Sequence, residues 1–156
     1  MPILGKLREY FDEHHVRYEM LSHPQAFTAQ ETAAAQHVHG RELAKVVIVR
    51  SGGDFAMIVL PAPARVDLER AAVVLGEPRL ALATEDEFAS LFPGCEVGAM
   101  PPLGNLYGLP VWVDRELGKD EYIVFNAGTH TQTIRMRYAD FARLVVPTVA
   151  SLAEDD

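Results

Sequence analysis

The feature that most restricts the fold is a pair of apolar runs, Ala44-Lys-Val-Val-Ile-Val-Arg50 and Phe55-Ala-Met-Ile-Val-Leu60, separated by Ser51-Gly-Gly-Asp54. β-Branched side chains fit a pleated surface, and two glycines in the connection supply the backbone freedom that a tight reversal needs. The pattern predicts a hairpin. Neither run alternates apolar with polar, so both strands should be covered on both faces and lie in the middle of a sheet.

Other elements must supply that cover. Leu4, Leu7, Phe11 and then His14 or His15 recur at helical spacing, predicting an amphipathic helix over about residues 3–15. A strand through Tyr18 and Met20 follows, and His23-Pro24 interrupts it, because the residue before a proline is pushed out of helical geometry. Thr28-Ala-Gln-Glu31 and Thr84-Glu-Asp-Glu87 have the spacing of capping boxes, and Asp67 precedes a helical stripe that Gly76 closes. Short strands are expected over 79–82, 111–113, 122–126 and 132–136, with a closing helix over 138–144. Between Pro93 and Pro110 the chain is crowded with proline and glycine and should be irregular, which in a compact domain marks a functional loop. The expected class is α+β, with a mixed, mainly antiparallel and partly barrel-like sheet surrounded by helices.

With 156 residues, 49% of them apolar, the chain has the makings of one domain over 1–156, its tail from 145 to 156 expected to be flexible. No apolar run is long enough to span a bilayer, and the charged N-terminus does not read as a leader, so a cytoplasmic protein with no membrane partner is expected. A single cysteine, Cys95, agrees with a reducing compartment. The balance of 14 basic and 22 acidic residues, net -8, argues against a broad nucleic-acid surface, yet gripping only a terminal nucleotide takes one or two placed cations.

Three places carry candidate chemistry. Lys45 opens an apolar strand, where it either snorkels to water or presents a cation to a phosphate. The loop Gly98-Ala-Met-Pro-Pro-Leu-Gly104 either connects elements or brings backbone amides close to a ligand. His130, after Ala127-Gly128-Thr129, is either a base or donor near neutral pH or a loop residue bonded to backbone. His37-Val-His39 puts two imidazoles on one side of an extended segment, but no third ligand of matching spacing follows, so no metal and no cofactor is assigned. Cys95 as nucleophile would need a histidine partner that sequence does not place, and a structural free thiol is the simpler reading. No phosphate-cradling glycine loop, dinucleotide fingerprint or serine-hydrolase elbow occurs.

Taken in order, Lys45 before its valine-rich strand, Gly98-x-x-x-Pro102-Leu103-Gly104, and Gly128-Thr129-His130 resemble the YbaK family of prolyl-tRNA editing domains, over about residues 3–145. The resemblance implies hydrolysis of the ester of a mischarged tRNA. On it, Lys45 would hold the phosphate of the terminal adenosine, Gly98 and Ala99 would offer amides to the aminoacyl carbonyl, and His130 would shape the pocket with Gly128 and Thr129. His23, Phe27, Thr28, Met100, Pro102 and Asn126 would line the substrate site. Bulky Phe27 and Met100 imply a pocket for alanine, serine or cysteine, with tRNA-Pro the expected carrier. Size alone discriminates weakly, so prolyl-tRNA synthetase is an implied partner, and the chain is expected to be a monomer or a dimer. The competing reading is a non-catalytic module on the same fold that binds an aminoacylated end, a nucleotide or a protein.

Overall fold

A computed structural model describes residues 3–22, 43–96 and 98–155. The hairpin forms as the sequence predicts: β2 (Ala44–Ser51) pairs antiparallel with β3 (Asp54–Pro61), with Gly52 in the left-handed region at φ 61°. Its two faces serve two cores. Ala44, Ile48, Met57 and Val59 face the main core, with Leu7 and Phe11 of α1 (Ile3–Glu13), while Val49, Ala56, Ile58 and Leu60 face a second core with Ala71 and Leu152. This two-sided burial explains why neither strand alternates.

Around the hairpin lies a five-stranded sheet of order β4-β2-β3-β5-β8, with β4 at Ala81–Leu82, β5 at Val111–Asp114 and β8 at Thr148–Ala150. A three-stranded antiparallel sheet has the order β1-β7-β6, with β1 at Tyr18–Ser22, β6 at Tyr122–Asn126 and β7 at Gln132–Arg137. β3 with β5 and β5 with β8 are parallel, so the arrangement is mixed and mainly antiparallel. Among the described residues, one parallel bridge, Leu43 to Val124, joins the two sheets at the start of β2. Among the described residues neither sheet closes into a barrel.

Helix α2 (Leu68–Leu75) is capped by Asp67, whose side chain accepts from the Arg70 amide, and ends at left-handed Gly76. The capping box on α3 (Glu85–Phe88) is complete: Thr84 accepts from the Glu87 amide, and Glu87 accepts from the Thr84 amide. α4 (Tyr138–Val145) buries Phe141 and Val145. The small helix expected from Thr28 lies outside the described residues.

The expected loose tail is corrected. Residues 148–150 add a strand to β5, and Leu152 is fully buried in the second core. Buried Asp114 accepts from the amides of Leu152 (2.9 Å) and Ala153 (3.1 Å), and Arg70 pairs with Asp155 at 3.0 Å. An acidic C-terminus looks frayed in sequence because its partners, Asp114 and Arg70, are distant in the chain.

Candidate functional site

Strand geometry sets the first part of the site. Lys45 stands opposite Leu60 in the hairpin, on the face away from the main core. The parallel Leu43–Val124 bridge puts the residues two further along, Lys45 and Asn126, on one common face, since side chains two apart in a strand point the same way. Lys45 is half-buried and has no ion pair among the described residues. Burial, and secondarily the repulsion of Arg65, hold its ammonium below the usual lysine range. Neither Lys45 nor Arg65 has an ion pair among the described residues, and two such cations interacting make an electropositive spot suited to an anion. Asn126 Oδ1 is buried with no hydrogen-bond partner among the described residues, an acceptor open to a donor.

Two left-handed glycines set the second part. Gly98 (φ 85°) and Gly128 (φ 93°) turn their loops toward each other. The Gly128 amide donates to the Ala99 carbonyl at 2.9 Å, and the Gly128 carbonyl accepts from the Glu96 amide at 2.7 Å. This double link fastens the 96–99 turn to the β6–β7 connection. His130 is buried, and a Cβ placed on Gly98 would meet its Cε1 at 3.5 Å, so the glycine backbone lies against the imidazole. Asn126 leads directly into Ala127-Gly128, which carries the lysine face toward the glycine loops.

Of the sequence-derived site residues inside the described segments, Gly98, Gly128 and His130 are brought together directly. Lys45, Asn126, Gly98, Gly128 and His130 are linked by the bridge, by chain continuity and by the glycine clamp. Ala99 takes part differently from expectation: its amide already donates to the Glu96 carbonyl at 3.0 Å, and its side chain is fully buried. Met100 is buried in the main core and Pro102 is buried beside it, so both support the loop from below. Thr129 Oγ1 lies 3.4 Å from Thr131 Oγ1 and from Gln132 Oε1, ordering the β6–β7 loop. Gly104 serves packing, for a Cβ there would lie 2.7 Å from Val111 Cγ2. His23, Phe27, Thr28, His37 and His39 lie outside the described residues.

Two residues near the candidate site were not singled out in sequence. Arg65 has no motif and reaches Lys45 only through the fold. Glu96, two residues before Gly98, places its carboxylate 3.9 Å from His130 Nε2. Cys95 Sγ lies 3.2 Å from the Tyr107 hydroxyl, and burial pushes the thiol up, which opposes a thiolate nucleophile.

Residues 23–144 match the sequence model of the aminoacyl-tRNA editing domain. Among solved structures, a protein provisionally named as a trans-editing enzyme for prolyl tRNA synthetase matches with TM-score 0.83 and 24% identity, over 99% of each chain. A hypothetical protein matches with TM-score 0.86 and 22% identity, over 96% of this chain and 99% of its own. A provisionally named signal transduction protein from Marinobacter aquaeolei VT8 matches with TM-score 0.77 and 18% identity, over 99% of this chain but 31% of its own. These identities speak to a shared fold. No curated protein matches the chain.

Proposed function

Because the chain belongs to the family of aminoacyl-tRNA editing domains, we propose that it is a cytoplasmic trans-editing deacylase that hydrolyses the ester of tRNA-Pro mischarged with alanine, cysteine or serine. The observation that carries the proposal is Lys45, a half-buried cation beside Arg65 that lacks a carboxylate among the described residues. In the proposed complex Lys45 holds the terminal phosphate, with Arg65 adding to the local positive potential. The orphan oxygen of Asn126 accepts from a substrate hydroxyl. Water attacks the aminoacyl carbonyl, the bond to the ribose oxygen breaks, and the proton from water leaves on the ribose hydroxyl, releasing the amino acid.

An ester is activated already, so holding it in place against a few fixed donors supplies much of the acceleration. The Gly98 amide is assigned to the carbonyl oxygen. The Ala99 amide would first have to leave Glu96. His130, fixed by packing against Gly98, forms the pocket wall. Alanine, cysteine and serine are the proposed side chains, and prolyl-tRNA synthetase is the proposed source of the mischarged substrate.

A second reading has its own support: a related fold occurs within the longer signal transduction protein, so a binding module without chemistry is the alternative. The separating experiment presents the protein with tRNA-Pro carrying alanine, cysteine, serine or proline and follows release of the amino acid. Selective release from one of the first three identifies the substrate. Tight binding of a charged tRNA without release selects the module.

A further inference from the structure

The site as described recognises a phosphate and a carbonyl, but an aminoacyl ester has a third feature: the free α-ammonium. On the editing reading above, we propose that Glu96 is the residue that recognises it, so that the substrate class is esters with an unblocked α-amine. Three observations converge on this carboxylate. Its backbone is fixed at the site by two hydrogen bonds, from its amide to the Gly128 carbonyl (2.7 Å) and from the Ala99 amide to its own carbonyl (3.0 Å). Its side chain is half exposed at 47%, whereas that of neighbouring His130 is 7% exposed. Its one ion-pair partner among the described residues is His130 Nε2, at 3.9 Å, beyond hydrogen-bond range.

A solvent-reaching carboxylate on a hydrogen-bonded backbone, two residues from Gly98 and without a lysine or arginine among the described residues to neutralise it, suits a cation brought by a ligand. Lys45 and Arg65 present positive charge and Glu96 presents negative charge. A terminal aminoacyl-adenosine carries the complementary pair, phosphate and ammonium. This charge pairing fixes which way the ester carbonyl is turned, which side-chain size alone does not do.

The test compares two substrates in one protein: the mischarged tRNA that supports release, and its α-hydroxy counterpart, with hydroxyl replacing ammonium on the same side chain and the same tRNA. A charge-assisted contact predicts that wild type prefers the aminoacyl ester by about tenfold or more in kcat/KM. Glu96→Gln brings that ratio close to one, and Glu96→Asp retains part of it. Because each ratio is taken within one variant, a loss of folded protein cancels. A wild-type ratio near one, or a ratio that survives in Glu96→Gln, overturns the assignment. A wild type that cleaves neither ester overturns the deacylase reading itself.

Discussion

Lys45 shows at the scale of one residue how function and stability pull apart. Burial first, and Arg65 second, lower its pKa in the folded chain. A lowered lysine pKa means that the charged form disfavours folding, a cost present below the folded-state value and gone above the unfolded one. Lys45→Met is therefore expected to keep or raise the melting temperature while lowering deacylation about tenfold to a hundredfold, checked by thermal melts beside initial rates. If Lys45 holds the phosphate as proposed, the same lowering predicts that activity, corrected for spontaneous ester loss, declines as pH rises toward a value below the ordinary 10.5 of lysine. Gly98 makes a second residue-scale case. At φ 85° a side chain is strained, so Gly98→Ala should cost about 1–2 kcal/mol in denaturant titration and lower the rate by moving the loop against His130. As candidates, Lys45, Gly98 and His130 were legible because their types are unusual where they stand. Arg65 and Glu96 were not, since an arginine or glutamate is ordinary in sequence and gains its meaning from neighbours the fold supplies.

At the scale of elements, local chemistry wrote most of the boundaries. Asp67 and Gly76 bracket α2 as read, and Thr84 with Glu87 starts α3. Val146 is the exception that no pattern announced: it ends α4 in the left-handed region at φ 48°, a poor place for a β-branched residue, and is 79% exposed. Val146→Asn is expected to raise stability by about 0.5–1 kcal/mol, measured by chemical unfolding, because strain is relieved and little packing is lost. Strand β8 was hidden for a related reason. Thr148–Ala150 is short and mostly exposed, and its pairing with β5 joins segments far apart in sequence. The parallel β3–β5 pairing was equally invisible, whereas the hairpin declared itself through its Gly-Gly turn.

At the scale of the molecule, Asp114 is what ties the C-terminal segment to the sheet. It is 2% exposed and accepts from the amides of Glu116, Leu152 and Ala153. Asp114→Ala leaves those donors without their acceptor and should cost about 2–4 kcal/mol, visible in unfolding curves and in faster hydrogen exchange at 148–153. On the proposed reading, a net charge of -8 leaves room for RNA recognition only at a small place, and among the described residues the Lys45–Arg65 region is the one proposed for it. The most direct test of the account is release of the amino acid from mischarged tRNA-Pro by wild type and by Lys45→Ala at matched folded concentration. The account predicts selective release by wild type and a rate about tenfold to a hundredfold lower for the variant. Equal release by both proteins would contradict it.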